Sequence, residues 1–255
     1  MNDSVYHAVI VACHAGFHKD VATIPDSPED DPYWVLSSFQ HREPPYYIEH
    51  IRHGVSLVNS LPESVLIFSG GQTHKDMGTW TEADTYYAIG KHYRWWMDEH
   101  RTGDEHLEKR IAVEQYARDS FENLLFGICR FQQITKRYPR EITMVSWAFK
   151  ENRFDIHREA LRIPVNRFHF EGVNDPVDMQ AAFTGEAATV RLFKRYRYGT
   201  GGELLSKRKK RDPFMRGHPY RRCDGMEPFF RFIDDPGNST VEYPGIFPWD
   251  KRLFA

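Results

Sequence analysis

The chain has 255 residues, with 34 Lys and Arg against 36 Asp and Glu for a net charge of −2. That length holds one large α/β domain or two small ones, and near-neutrality excludes a whole-molecule attraction to nucleic acid or anionic lipid. Three widely spaced cysteines (Cys13, Cys129, Cys223) exclude a disulfide framework and a cysteine zinc site. With no basic-then-apolar leader and no apolar run of membrane-spanning length, a cytoplasmic location without a membrane partner is expected.

Residues 6–13 are a short β-branched run, the pattern of a buried strand, ending at His14-Ala15-Gly16. Residues 18–46 carry Pro, Asp and Ser without periodicity and predict a long loop, a functional lid or a flexible segment, tied down by Tyr33, Trp34, Val35, Leu36 and Phe39. Tyr47, Ile48, Ile51, Val55, Leu57 and Val58 recur at helical spacing, and Pro62 marks that helix's end. A second buried strand, 65–68, stops at Ser69-Gly70-Gly71. Thr81 with Asp84 three residues on is a helix-start pattern, and Ala83, Tyr86, Tyr87 and Tyr93 supply the apolar stripe. Residues 94–109 break the period and read as an insertion. Residues 111–113 predict a very short strand. Asp119 with Glu122 then caps a helix whose one face carries Phe121, Leu124, Leu125, Ile128 and Phe131. Residues 141–147 predict a fourth strand, 153–162 a helix stopped by Pro164, 167–170 a fifth strand and 185–198 a last helix.

Strands alternating with helices are the pattern of a parallel sheet covered on both faces. The expected fold class is α/β: a Rossmann-like three-layer α/β/α core over residues 1–198, with a mostly parallel sheet of about five strands. From 199 to 255 glycine and proline become frequent and periodicity is lost, so an irregular, basic extension packed on or appended to the core is expected. Its five-residue run KRKKR, from Lys207 to Arg211, reads first as a solvated loop. Nucleic-acid contact through 207–222 is the less favoured reading, and a third is that the run supplies charge near an anionic ligand by folding back over the core.

Right-handed crossovers put all strand ends on one edge, where ligands of open α/β sheets collect. Gly16, Ser69, Glu114 and Ser146 each follow a predicted strand and are expected to converge there. The Ser69-Gly70-Gly71 turn is neither a dinucleotide fingerprint nor a Walker loop, which makes it one wall of a composite site. Backbone and hydroxyl donors of Ser69, Gly70, Gly71 and Ser146 are expected to cradle an anion. Arg118, Lys150 and Arg153 are expected to neutralise it, and Glu82 and Glu114 are the catalytic acid/base candidates. His14, Gly16, Ser120 and Asn123 complete the expected ligand contacts. Helix capping accounts for Asp119 and Glu122 but not for Glu114 and Arg118. The motifs GxSxG and HExxH are absent and the 13 histidines show no paired ligand spacing, so no metal is expected.

The strand ending in Ser69-Gly70-Gly71, the Thr81-Glu82-Ala83 helix start, Glu114 followed by Glu122-Asn123, and Val145-Ser146 followed by Arg153 resemble the DUF218 family (SanA/YdcF-like proteins), specifically its soluble fungal-type members. The tail carrying KRKKRDPF is similar to the extension of those members. The resemblance implies a Rossmann-like fold with a polar, enzyme-like cluster at the strand ends, its reaction open. Where bacterial members place a histidine after the fourth strand, this chain has Lys150, an anion clamp in place of a histidine base.

Two functional expectations follow. The leading one is an enzyme that binds a small anionic ligand, phosphate- or nucleotide-containing, with a hydrolase or transferase reaction run by the carboxylates. S-adenosylmethionine or another nucleotide is the candidate cofactor class. The alternative is a non-catalytic ligand sensor or scaffold whose basic tail docks a partner or RNA.

Overall fold

The computed structural model describes residues 5–96 and 105–250. In chain order the strands are β1 (His7–Ala12), β2 (Gly16–Phe17), β3 (Trp34–Val35), β4 (Ser64–Ser69), β5 (Ile111–Glu114), β6 (Glu141–Ser146) and β7 (Phe168–Gly172). The helices are α1 (Pro44–Ser60), α2 (Glu82–His92), α3 (Glu105–Glu108), α4 (Ser120–Thr135), α5 (Glu151–Ala160), α6 (Met179–Arg195), α7 (Gly202–Lys210) and α8 (Glu227–Asp234). Of the expected insertion at 94–109, residues 97–104 lie outside the described residues.

Five strands form one parallel sheet in the order β5-β4-β1-β6-β7. The chain steps outward from β1 through β4 to β5, then returns to the other side of β1 for β6 and β7. The junction between β1 and β6 is therefore the topological switch point, where a doubly wound sheet opens a crevice beyond its strand ends.

The central strands read as continuous apolar runs because both of their faces are buried. Ala8, Ile10 and Ala12 of β1 join Val65, Ile67, Ile142 and Met144 under α4 and α5. The alternate residues Val9, Val11 and Cys13 join Leu66, Phe68 and Val145 under α1 and α2. Two glycines let the helices close on β1: a Cβ on Gly54 of α1 would lie 2.6 Å from Val11, and one on Gly127 of α4 would lie 2.7 Å from Ile10. The fold is thus the three-layer, Rossmann-like α/β arrangement expected.

Residues 18–46 hold more structure than their composition predicts. β2 pairs antiparallel with β3, and Trp34 packs edge-on against Phe17, Tyr47 and Tyr86 while its indole N–H donates to Pro28 O. Helix α6 starts at Met179 rather than at 185, because Asp178 accepts from the Ala181 amide as an N-cap.

The extension is less irregular than its composition implies. It contains α7 and α8, and its Tyr220, Phe229, Phe230 and Phe247 are at most 1% exposed against the α4 face of the core. Phe229 and Phe230 sit on α8, a helix of only eight residues, and Tyr220 and Phe247 lie outside the α-helices, so their burial leaves little periodic signal. The KRKKR run is the C-terminal end of α7 and not a loop. Lys207, Lys209, Lys210 and Arg211 are exposed, whereas Arg208 is buried. Among the described residues no helix is long and apolar enough to cross a membrane.

Candidate functional site

The strand ends of β4 and β5 carry several of the expected site residues, but they face one another. Glu114 is fully buried. Its Oε1 accepts from the Tyr116 amide (2.7 Å) and the Tyr220 hydroxyl (3.0 Å), and its Oε2 accepts from Ser69 Oγ (2.7 Å) and the Ala117 amide (3.3 Å). Burial pushes its carboxyl up to about 7 in spite of these four donors. Asn123 Nδ2 donates to Ser69 O at 2.7 Å. The Ser69 hydroxyl and the Glu114 carboxylate are therefore committed to a structural lock that Asn123 Nδ2 completes.

The glycine turn is corrected in the same way. The Gly70 amide donates to Glu114 O and the Gly71 amide to Ala117 O, while the amides of Glu82 and Ala83 donate back to Gly71 O and Gly70 O. Neither the turn nor the α2 N-terminus has the free N–H groups that an anion cradle needs. The glycines are needed for space: a Cβ on Gly71 would stand 2.7 Å from Ala117 O. Gly71→Ala is accordingly expected to cost about 1–3 kcal/mol, measured by urea denaturation; an unchanged midpoint would mean the β5–α4 loop gives way freely. Gly16 also leaves the ligand set. It pairs with Val35, and a Cβ there would lie 2.3 Å from Met77 Cε.

The arginines near α4 are spoken for. Arg118 donates from Nε and Nη2 to the two Glu122 oxygens (2.9 and 2.6 Å) and from Nη1 to Asp212 (2.9 Å). It cannot neutralise a ligand without abandoning two carboxylates. Asp119 caps α4 as expected, accepting from the Glu122 amide, and also holds Arg208 of the extension at 2.6 Å. Ser120 Oγ meets His157 Nε2 at 2.8 Å. Arg153 is clamped by Glu186, Nη2 to Oε2 at 2.6 Å and Nε to Oε1 at 3.0 Å. His157 is fully buried, and burial, followed by the Arg153 charge, drops its imidazole to about 3.

What converges on the switch point is His14, Ser146 and Lys150, with Glu82 beside them. Val11 of β1 pairs with Val145 of β6; Ser146 is the next residue of β6, and His14 and Lys150 follow in the two connecting loops. Ser146 Oγ is buried with no hydrogen-bond partner, and so is His14 Nε2. Lys150 Nζ lies 3.4 Å from His14 Nδ1. With the lysine donating, Nδ1 accepts and the imidazole proton sits on Nε2, the unpartnered atom. Burial, then Lys150 and His50, hold this imidazole well below its ordinary range, so it is neutral.

Lys150 has no carboxylate within ion-pair distance among the described residues. Burial and the Arg153 charge push its amine down to about 7, while Glu186 and Glu43 act in the opposite direction. Glu82 is buried at the start of α2, accepts from Thr73 Oγ1 at 2.6 Å, and has its carboxyl raised by burial. A wall of hydrogen-bonded side chains backs the crevice. Gln40 Nε2 donates to His14 O (2.9 Å) and to Tyr47 OH (3.1 Å), and Tyr47 in turn donates to Glu43 (2.7 Å). Trp147 stacks on His14 with centroids 5.8 Å apart.

Sequence reasoning named the KRKKR run but did not single out Arg211, one residue past α7. Its guanidinium donates to Arg118 O at 3.1 Å, and its charge acts on His14, Glu82, Lys150 and Arg153. The basic run thus delivers one charge to the site by folding back over the core. His50, Glu43, Gln40 and Glu186 were missed. Only His50 left a signal: it lies in the apolar stripe of α1 between Tyr47 and Ile51, and it is fully buried. Among the described residues no cluster of three or more His, Cys, Asp or Glu is placed to hold a metal ion.

No protein-family model matches the chain, and no solved structure matches it. The chain is similar to the "Uncharacterized protein YOR238W" of Saccharomyces cerevisiae (strain ATCC 204508 / S288c), with 26% identity over an alignment of 312 residues that covers 97% of this chain and 98% of the yeast protein, and so reaches through the C-terminal extension.

Proposed function

We propose that the chain binds a small anion, the phosphate of a phosphate- or nucleotide-containing ligand, in the crevice between β1 and β6, and that it acts on that ligand as a hydrolase or transferase. The observation that carries this reading is a lysine without a carboxylate partner, flanked by two buried polar atoms without hydrogen-bond partners, at the switch point of a doubly wound sheet. Buried polar atoms are normally satisfied. An anionic oxygen would accept from the imidazole N–H and from the hydroxyl, which can donate, and would sit beside an ammonium. In this reading Lys150 supplies the charge, with Arg211 behind it. His14 Nε2 and Ser146 Oγ supply directed hydrogen bonds, and Glu82 is the acid/base group. The DUF218 resemblance points to the same strand ends.

Calorimetric titration with inorganic sulfate, phosphate and nucleoside phosphates tests it. Lys150→Met is expected to weaken binding roughly tenfold to a hundredfold, the worth of a charge-assisted hydrogen bond, and Ser146→Ala to weaken it less. Because the ammonium is lost as pH rises through about 7, sulfate affinity of the wild type should fall between about pH 6 and pH 8. Sulfate keeps its own charge over that range, so the trend reports the protein, and it should flatten in Lys150→Arg. If Lys150→Met binds every anion as well as the wild type does, the reading is wrong.

A further inference from the structure

A second site is formed where the C-terminal extension crosses α4, away from the β1–β6 crevice. A cavity of about 260 Å³ opens there, a volume of the order a small organic molecule occupies. Its walls are apolar and ring-rich: Phe126 and Leu125 from α4, Leu205 from α7, and Phe230 and Ile233 from α8. His218 forms part of the wall, its ring 4.7 Å from those of Phe126 and Phe230. The flanking charges largely cancel. Glu122 is held between Arg118 and Arg208, and Asp234 is paired with Arg221.

Three donors remain. Thr200 Oγ1 is buried without a hydrogen-bond partner and lines the cavity. His218 Nδ1 accepts from the Tyr220 amide, which puts the ring proton on Nε2. Burial holds this imidazole down at about 4, so it is a neutral donor at ordinary pH. Lys209 lines the same space and has no carboxylate partner among the described residues. We infer that this cavity is a binding site for a small monoanion with a flat, ring-containing body and a carboxylate head, the rings lying along the apolar wall of Leu205, Phe230 and Ile233 and the carboxylate meeting Thr200, His218 and Lys209. Such a ligand touches both α4 and the extension, and it would fasten the segment that carries Arg211 to the crevice.

The full chain can be titrated with naphthalene-1-acetate and with its uncharged counterpart 2-(1-naphthyl)ethanol. One molecule of the acid is expected per chain, with the alcohol at least roughly tenfold weaker for lack of the charge-assisted contacts. Lys209→Gln, at an exposed position where folding is not at stake, should bring the acid down towards the alcohol. Leu205→Trp should fill the cavity and abolish binding of both. Lys150→Met, at the crevice, should leave naphthalene-1-acetate binding unchanged. No binding of the acid by the wild type, equal binding of acid and alcohol, or full affinity in Lys209→Gln would each overturn the assignment.

Discussion

Arg208→Ala is expected to lower the free energy of unfolding by about 3–5 kcal/mol, the usual cost of removing one partner from a buried ion pair. The side chain is 5% exposed. It donates from Nε to Asp119 Oδ2 at 2.8 Å, approaches Glu122 Oε1 at 3.3 Å, and donates from Nη2 to Tyr198 O at 2.9 Å. Truncation leaves Asp119 with no cation in contact, Glu122 with Arg118 alone, and the Tyr198 carbonyl without that donor. The loss should depend on pH with a definite sign. Burial raises the Asp119 carboxyl, but the Arg208 charge and the Glu122 amide outweigh it and hold it below its ordinary value. Its contribution is therefore complete above the unfolded value near 3.8 and disappears as pH falls through the lower folded value. The gap between wild type and variant should accordingly narrow in acid. Urea titrations at several pH values measure both effects, with Lys207→Ala on the exposed side of α7 as the control, expected within about 0.5 kcal/mol of wild type. A loss below about 1 kcal/mol for Arg208→Ala would mean that the extension is not anchored through this residue.

Glu114→Ala is expected to cost about 3 kcal/mol or more, because it strands two backbone amides and two hydroxyls in a buried setting where each unsatisfied donor is worth about 1–3 kcal/mol. Glu114→Gln should be far milder. Its amide can face Ser69, whose hydroxyl is able to turn and accept, while its oxygen keeps the Tyr116 and Tyr220 donors and only the longer Ala117 amide contact loses its acceptor. The conservative variant also isolates the titration. The folded carboxyl sits at about 7 against 4.5 for an ordinary glutamate, so between those values the folded chain retains a proton that the unfolded chain has lost. The stability that Glu114 contributes is thus present in full below about 4.5 and is lost as pH rises to about 7. Stability of wild type measured across this window should decline relative to Glu114→Gln and run parallel to it above. Parallel curves throughout would remove the raised carboxyl from the account.

These two residues also mark how far the chain can be read without its fold. Glu114 and Arg118 stood out because capping did not explain them, and they do have another role, but it is internal. Arg118 finds Asp212, 94 residues away, and Arg208 finds Asp119, 89 residues away. Arg153 reaches across to Glu186 in the next helix. Each pairing consumes a charge that, counted along the chain, looked available to a ligand. Lys150 looked no different from those arginines in the sequence, yet it alone among the three expected site cations, Arg118, Lys150 and Arg153, meets an imidazole, His14, and no acid.

The sequence by itself determined the main elements of the core and their layering. Uninterrupted apolar runs mark strands buried on both faces, helical spacing marks the stripes that cover them, and Thr81 and Asp119 mark helix starts, because each of these signals is local and repeats at a fixed period. It also determined that polar segments would gather at the strand ends, since parallel strands joined by right-handed crossovers leave no other arrangement. Only the tertiary structure decided which polar groups cancel and which remain. Pairing of charges and hydrogen-bonding atoms depends on distances between residues far apart in the chain, and on the burial of aromatics such as Tyr220 and Phe230 that carry the extension back over the core. Those distances left His14, Ser146 and Lys150 unsatisfied at the β1–β6 junction and closed the glycine turn at Ser69-Gly70-Gly71 on itself.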